Sequence, residues 1–170
     1  MSTSSSVYRS PIGSILIEST DKFITALLFI DEKKRLQQDA GLLMEMGKSD
    51  ELIAVCRQQL NEYFEGTRRI FDFPIQQTGT AFQQKIWAGL LQIPYGKTIS
   101  YLDLSKRTGD AKAIRAVGTT NGKNQLSIVV PCHRVIGSNG DLTGYAGGLW
   151  RKRWLLEHEG KFASGVQTLF

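Results

Sequence analysis

The sequence holds one pair of adjacent side chains that could act as a nucleophile and its base, Cys132 and His133. Cysteine attacks as the thiolate, so its ordinary pKa of about 8.5 must be lowered, or its proton removed, before much thiolate forms at neutral pH. A neighbouring imidazole can take that proton, and a carboxylate can orient the imidazole. The candidate carboxylates in residues 81–170 are Asp103, Asp110, Asp141, Glu157 and Glu159. The pair is compatible with cysteine chemistry, but a Cys-His dipeptide taken alone is more typical of a buried thiol beside a surface histidine, and composition leaves the choice of carboxylate open.

The residues before this pair predict that it lies at a turn. The apolar run over 126–130 is followed by Pro131, which restricts Val130 to extended conformations. We therefore expect Cys132 and His133 at a stiff chain reversal rather than within a continuing strand.

Two short helices before this turn are predicted from their N-terminal signals. Ser100 with Asp103 opens the first helix, which closes at Gly109. Asp110 can cap the second, which runs to Gly118. Two short helices joined by a turn that contains glycine match a helix-turn-helix.

Further helices are predicted on either side of this motif. Thr80 and Gln83 fit a capping box. The apolar run behind it is Phe82, Ile86, Leu90 and Ile93, followed by a turn at Pro94–Lys97. A closing helix is predicted over Leu149–His158. Its inward-facing residues are expected to be Leu149, Trp154, Leu155 and Leu156.

The first half predicts a small mixed α/β unit. Strand-like runs at Ser14–Glu18 and Phe23–Ile30 indicate a β-hairpin, and no strand is predicted in the serine-rich stretch before it. Residues Lys33–Lys48 favour loop with some helix, and Ser49 or Asp50 can cap a helix that ends at Gly66. Its apolar face is predicted to be Leu52, Val55, Cys56, Leu60, Tyr63 and Phe64. One more strand is predicted over Ile70–Phe73.

The net charge changes sign at the same place as the linker-like segment before residue 80. The whole chain has a formal charge of +5, but residues 1–80 carry 9 basic and 11 acidic side chains, whereas residues 81–170 carry 12 and 5. The second half alone is therefore at +7, which suggests a polyanionic partner, although a charged surface that only keeps the protein soluble would explain charge alone equally well. The linker-like residues 74–79 lie at this change, so we predict an N-terminal domain over 1–79 and a C-terminal domain over 80–170.

Composition is that of an ordinary globular protein. Hydrophobic residues make up 41% and charged residues 22% of the chain, which excludes disordered, collagenous and coiled-coil classes. We expect no secretory signal, because the start has no apolar run, and no membrane span. Two cysteines are too few for a disulfide scaffold. We therefore expect a cytoplasmic protein with reduced thiols.

The segment Ile128–Ile136, read as IVVPCHRVI, resembles the active-site signature of the O6-alkylguanine–DNA alkyltransferases, which repair DNA by direct reversal. Further matching segments follow the family's order and spacing: Ser100-Tyr101, Arg115–Gly118, Asn121–Asn124, Gly144–Gly148 and Trp154–Gly160. Residues 1–79 resemble the family loosely. The resemblance implies a small α/β N-terminal domain, RNase H-like with an antiparallel sheet and a helix. It also implies a mainly α, winged helix-turn-helix C-terminal domain that carries the active site.

The resemblance also implies roles for individual residues. Cys132 is similar to the alkyl acceptor, His133 to the base that holds it as a thiolate through a water, and Glu159 to the carboxylate that orients His133. Asn124 would hydrogen-bond across the turn. Tyr101 would give a proton or a hydrogen bond to the departing guanine.

Substrate contacts follow from the same resemblance. The carbonyls of Cys132 and Val135 would accept from the guanine amine, and the backbone N–H of Ala146 would donate to O6, with Tyr145 beside it in the substrate site. Many members have serine at position 146, so this chain keeps the main-chain donor without a hydroxyl. Arg115 would enter the duplex and fill the gap left by a flipped base. The small residues that would let the second helix lie against DNA are Ala111, Ala113, Ala116 and Gly118.

The implied function is a single, irreversible transfer of an alkyl group from O6-alkylguanine in duplex DNA to Cys132, with O4-alkylthymine as a second candidate substrate. The expected partner is double-stranded DNA with alkylated bases, without a membrane. We expect a monomer, with cooperative assembly on DNA left open. No cofactor is expected. Members that hold zinc use extra N-terminal Cys and His residues, and this chain has no histidine before His133, so no metal site is expected.

Three other functions stay open from sequence. A non-catalytic lesion binder of the alkyltransferase-like kind would keep the fold but lack the acceptor, which Cys132 argues against. A helix-turn-helix transcription regulator would need a dimer interface or a sensor domain. A cysteine hydrolase using Cys132 and His133 would turn over repeatedly.

Overall fold

The computed structural model describes residues 3–31 and 51–164, and these fall into two units. The first comprises Met1–Gln77 with Gln125–Ser127, and the second Thr78–Asn124 with Ile128–Phe170. The loop and helix predicted over 33–48 and the cap predicted at Ser49 or Asp50 lie outside the described residues. None of the described helices is long and apolar enough to cross a membrane.

The sheet of the first unit has three antiparallel strands, in the order β1-β2-β3. They are β1 (Thr3–Ser10), β2 (Gly13–Thr20) and β3 (Ile24–Ile30). The predicted hairpin is confirmed as β2 and β3, and the central strand β2 buries side chains on both faces, among them the adjacent Ile15 and Leu16. The sequence predicts no strand at β1, yet all of its residues pair with β2. The serine-rich sequence of β1 gives no strand signal, because this segment is extended through its pairing with β2 rather than through its own β-propensity.

Helix α1 (Glu51–Glu65) packs on this sheet. Its buried apolar side chains are Ile53, Cys56, Leu60 and Tyr63, so the predicted face is wrong at Val55, which is exposed. Gly66 ends the helix as predicted, with a φ of 86° that suits glycine. The strand predicted at Ile70–Phe73 is wrong. Instead, Ile75 forms an isolated parallel bridge to Ile24, and Ile70 is 77% exposed.

In the second unit, helix α2 (Ala81–Leu90) begins at the predicted capping box. Gln83 N donates to Thr80 Oγ1 at 3.1 Å, and Thr80 N donates to Gln83 Oε1 at 3.0 Å. Ile86 and Leu90 are buried as expected, but Phe82 is exposed and the sequence pattern missed the buried Trp87.

The helix-turn-helix lies between two short parallel strands, β4 (Ile99–Ser100) and β5 (Val135–Ile136). Helix α3 (Tyr101–Arg107) is capped by the Ser100 side chain, which accepts from Asp103 N at 3.0 Å. Asp110 caps a 3-10 helix (Ala111–Ala113), and α4 (Ile114–Gly122) follows directly. The second helix of the motif therefore starts with 3-10 geometry and runs past Gly118, where the sequence predicts its end.

A second 3-10 helix (Cys132–Arg134) precedes β5, and the last helix is α5 (Leu149–Ser164). It extends six residues beyond the predicted end at His158. Its inner face consists of Lys152, Leu155, His158 and Glu159, so Leu155 is buried as predicted. Leu149 is exposed, contrary to prediction. The buried face of α5 is instead the one that carries Lys152 and Glu159.

The capping box of α2 gives a stability test. Thr80→Ala removes the acceptor for Gln83 N, and an N-cap threonine is typically worth about 1 kcal/mol. We expect the free energy of unfolding to fall by about that amount, which for a chain of this size lowers the melting temperature by roughly 2–4 °C. Urea and thermal unfolding measure both quantities. Thr98→Ala, at an exposed threonine outside any helix, should leave them unchanged, and an equal loss in both variants would contradict the assignment.

Candidate active site

The turn that carries Cys132 is held by two asparagine side chains. Asn124 Nδ2 donates to the carbonyl of Val130 at 2.8 Å, and Asn121 Nδ2 donates to the carbonyl of Cys132 at 3.3 Å. Within the turn, Cys132 N donates to the same Val130 carbonyl at 2.8 Å. Asn124 thus makes the contact across the turn that its expected role requires, and Asn121 adds a second one that the sequence did not single out.

The chain enters this turn through an unusual backbone conformation at Ile128. Its φ of 73° is the only positive value for a residue other than glycine in the described segments. A β-branched residue adopts the left-handed region only at a cost in conformational energy, and such strain persists where the surroundings fix it. Ile128 is buried, and so are Val129 and Val130 beside it. Packing of these side chains therefore fixes the direction in which the chain reaches Cys132.

His133 is paired with a fully buried carboxylate. Its Nε2 lies 2.7 Å from Glu159 Oε2, and both side chains are inaccessible to solvent. Arg134 binds both oxygens of the same carboxylate, with Nε 2.8 Å from Oε1 and Nη2 3.0 Å from Oε2. Arg134 Nη1 also donates to the carbonyl of Ile93 at 2.7 Å. Among the five candidate carboxylates, Glu159, the one that the family resemblance selects, is thus the one that contacts His133.

Glu159 stays ionised and so fixes the tautomer of His133. Burial alone would raise the pKa of Glu159, but His133 and Arg134 together hold it well below its usual range. An ionised carboxylate only accepts hydrogen bonds, so His133 Nε2 carries the proton. His133 Nδ1, the other ring nitrogen, is buried without a hydrogen-bond partner in residues 3–31 and 51–164.

Cys132 is a buried thiol, 6% exposed. Burial raises the pKa of Cys132 above its ordinary value. A hydrogen bond from Asn124 and the positive charge of Lys152 oppose this rise without overcoming it. In this structure, therefore, Cys132 is a protonated thiol whose ionisation needs a base.

Tyr101 lies at the start of α3, where its hydroxyl donates to the carbonyl of Thr143 at 2.9 Å. Lys152 Nζ approaches the same hydroxyl at 3.4 Å and donates to the carbonyls of Thr143 and Gly144 at 2.9 and 3.2 Å. The sequence assigns a role to Tyr101 but none to Lys152, because a single lysine in a predicted helix gives no sign that it is buried.

The other expected substrate contacts lie on β5 and in the irregular segment over 137–148. Val135 is buried on β5, where it pairs with Ile99. Tyr145 accepts from Gly148 N at 2.9 Å in a tight turn, and Ala146 at the centre of that turn is exposed. Ala146, whose main-chain N–H is expected to donate to the base, is thus a solvent-exposed residue.

The helix-turn-helix presents a positively charged surface. Its exposed cations are Lys106, Arg107, Lys112, Arg115 and Lys123. The small residues Ala111 and Ala116 are also exposed, and Ala113 and Gly118 are half-buried. Arg115 lies in the first turn of α4 beside these small side chains. No group of metal-binding side chains occurs within the described ranges.

Comparison with known proteins matches both parts of the chain. The model of the 6-O-methylguanine DNA methyltransferase ribonuclease-like domain matches residues 4–77, and that of the DNA binding domain of the same proteins matches residues 81–161. The methylated-DNA--protein-cysteine methyltransferase of Methanosarcina acetivorans is 40% identical over 154 residues, covering 91% of this chain and 96% of that protein.

Solved structures show the same similarity. The O6-methylguanine methyltransferase of Mycobacterium tuberculosis superposes with a TM-score of 0.81 at 39% identity, covering 99% of each chain. A second structure of the Mycobacterium tuberculosis protein, in complex with DNA, gives a TM-score of 0.79 at 39% identity over 92% of each chain.

The buried carboxylate predicts a specific acid sensitivity. Because the folded-state pKa of Glu159 is depressed, its contribution to stability is complete above the ordinary glutamate pKa of about 4.3 and is lost as the pH falls below it. Glu159→Gln should lower the free energy of unfolding at pH 7 by about 3–5 kcal/mol, since it leaves Arg134 buried without a counter-charge. The deficit should shrink from pH 5 to pH 3. Urea unfolding at several pH values measures it, with the exposed Glu157→Gln of the same helix as control. A deficit that does not change with pH would contradict the ionised state.

Proposed function

The chain belongs to the 6-O-methylguanine DNA methyltransferase family, and from that premise we propose that Cys132 is the residue that takes the alkyl group. The protein repairs DNA by transferring an alkyl group from guanine O6 to its own cysteine. The observation that carries the assignment of Cys132 is its position next to the buried His133–Glu159 pair. The other cysteine, Cys56, lies on α1 between Val55 and Arg57, and burial raises its pKa to about 12.

The transfer begins with ionisation of Cys132. Its proton passes to His133 Nδ1, through a water as the family resemblance implies, and the imidazolium that forms is stabilised by the Glu159 carboxylate at 2.7 Å. Arg134 keeps that carboxylate ionised and in place. The charges of Glu159 and Arg134, which are present before the substrate binds, thus orient His133 to accept the proton.

The thiolate sulfur then forms a bond to the alkyl carbon while the bond from that carbon to guanine O6 breaks. The electron pair of the broken bond stays on guanine, which takes a proton from the Tyr101 hydroxyl. In-line approach of a soft nucleophile and a positioned acid are what such a displacement needs. The product is a thioether, which water does not cleave under mild conditions, so each chain reacts once.

Main-chain groups supply the contacts that hold the base. The carbonyl of Cys132 accepts from Asn121 Nδ2 at 3.3 Å and from Val135 N in this structure, and the family resemblance implies that it also accepts from the guanine amine. Val135 offers a second carbonyl, and Ala146 offers its N–H to O6, with Tyr145 alongside. Main-chain contacts of this kind recognise the guanine base, but they make no contact with the alkyl group itself.

The target base must leave the duplex to reach a buried thiol, and flipping costs a few kcal/mol. We assign the helix-turn-helix to DNA binding, with its exposed cations contacting phosphates and Ala111, Ala113, Ala116 and Gly118 allowing close approach to the minor groove. Arg115 would fill the gap in the base stack. The affinity for DNA should therefore fall with salt and depend little on DNA sequence.

The reduced thiols suit a cytoplasmic protein.

Substitution of the acceptor tests the central assignment. Cys132→Ser should take up no methyl group from O6-methylguanine duplex DNA, yet bind it within about threefold of the parent protein, because the phosphate contacts lie on α3 and α4. Cys56→Ser should still take up one methyl group per chain. Intact and peptide mass spectrometry locates the group. Methylation of the Cys132→Ser protein, or more than one methyl group removed per chain, would overturn the proposal.

Arg115 is tested by comparing two substrates. Arg115→Ala should slow repair of duplex DNA by about tenfold or more, but leave reaction with free O6-benzylguanine nearly unchanged, since only the duplex requires base flipping. Lys112→Ala, which removes a neighbouring exposed cation, should weaken DNA binding without slowing transfer at saturating DNA. Single-turnover rates give both comparisons. Equal losses on the two substrates would place Arg115 in support of the pocket instead.

A further inference from the structure

The turn over Tyr145–Gly148, which carries the Ala146 N–H, is made of residues that do little to fix a backbone. Its second half is Gly147 and Gly148, and Gly148 has a φ of 93°. Glycine has more conformational freedom to lose than any other residue. The turn is closed by a main-chain bond from Gly148 N to the carbonyl of Tyr145 at 2.9 Å. An N–H held at one position in such a turn needs support from outside the turn.

Arg151, in the first turn of α5, reaches back to these residues. Its Nη1 donates to the carbonyl of Gly147, the residue next to Ala146, at 2.8 Å. Helix α5 has no acidic side chain in its first turn, and Arg151 is followed by two more cations, Lys152 and Arg153. A cation in the first turn faces the positive end of the helix dipole and is disfavoured there. The stability of α5 therefore does not account for Arg151, whereas its bond to the glycine turn does.

Trp150 contacts both partners of this bond. Its ring stacks on the Arg151 guanidinium, with 4.6 Å between the guanidinium carbon and the ring centroid. Its Cδ1 and Nε1 lie 3.4 and 3.5 Å from the position that a Cβ on Gly148 would occupy, so the indole also packs against the turn. Trp150 is nevertheless 57% exposed. Its position thus indicates a role in these two contacts rather than in the core.

We propose that Arg151 and Trp150 are positioning residues that hold the Tyr145–Gly148 turn in the conformation that presents the Ala146 N–H to guanine O6. This inference rests on the proposed function of the site, and it adds two residues that act through the turn rather than on the substrate. A turn that is already in place does not have to be ordered when the base binds, so the affinity for the base is higher. A turn in place only part of the time lowers the apparent affinity by that fraction.

Free O6-benzylguanine separates the positioning of the turn from DNA binding. Single-turnover rates are measured over a range of its concentrations for the parent protein, Arg151→Met and Trp150→Ala. Both changes should raise the half-saturating concentration about tenfold and lower the limiting rate less than about threefold, because saturating base orders the turn by itself. A half-saturating concentration that neither change moves would overturn the proposal. So would weaker binding of undamaged duplex DNA as the sole effect of Arg151→Met, which would make Arg151 a phosphate contact.

Matched variants show whether the two side chains act together. Arg153→Met removes an exposed cation of the same helix and should leave both constants unchanged. An equal effect there would trace the result to the charge of the helix and overturn the positioning role. Trp150→Phe keeps a ring for the guanidinium and should stay within about threefold of the parent. Trp150→Ala combined with Arg151→Met should lose little more than Arg151→Met alone, because both act through one stack. Losses that multiply would contradict that shared action.

Hydrogen exchange of the Gly148 amide, followed by NMR, reports on the turn in the resting protein. Arg151→Met and Trp150→Ala should speed its exchange by about threefold or more, because the bond from Gly148 N to Tyr145 opens more often. Arg153→Met should not. Exchange that is equal in the parent and in both variants would overturn the proposal.

The two measurements also separate this inference from the proposed function. If the parent protein takes up no benzyl group, the proposed function fails, and the exchange rates still decide whether Arg151 and Trp150 hold the turn. If Arg151→Met fails to fold by circular dichroism, Trp150→Ala, at an exposed residue, is read in the same way.

Discussion

The carboxylate of Glu159 carries a buried negative charge, and the placement of the site depends on how that charge is satisfied. It accepts hydrogen bonds from His133, from two nitrogens of Arg134 and, at 3.4 Å, from Gly96 N. A buried ion costs several kcal/mol unless it is paired in good geometry. Its partners come from the Cys132 turn and from the turn after α2. Satisfying one charge therefore fixes α5 against both turns.

Gly96 shows how closely these segments must approach. Its φ is 77°, and a Cβ placed there would lie 2.4 Å from the Cβ of Ala163 on α5. Only glycine meets both conditions, because a side chain would be strained at that φ and would push the helix away. Displacement of α5 would lengthen the bond from Gly96 N to Glu159. The same glycine thus permits the turn and the contact that orients His133.

Helix α5 carries two buried groups of opposite charge. Lys152 and Glu159 are seven residues apart on one buried face, a spacing of about two helical turns. Glu159 binds His133 beside the cysteine, and Lys152 donates to the carbonyls of Thr143 and Gly144 and contacts the Tyr101 hydroxyl. Sequence analysis could predict local features of this arrangement, such as the caps at Thr80, Ser100 and Asp110, because cap and helix are within a few residues of each other. It could not predict that Lys152 is buried or that Arg134 binds Glu159, since only tertiary packing brings those groups together. Serine-rich β1 was missed for the same reason.

A protein that reacts once has reason to keep its nucleophile unreactive until the substrate is bound. Thiolates, rather than thiols, react with oxidants and stray electrophiles. Burial raises the pKa of Cys132, so the resting protein holds a thiol there, while Asn124 and Lys152 oppose the rise. Together with His133 Nδ1, these groups prepare ionisation without completing it. If the thiol were exposed it would ionise more readily, but each accidental reaction would consume a whole chain. The same burial requires that the base be brought to the cysteine, which is why the nucleophile and the DNA-binding helices belong to one structural unit.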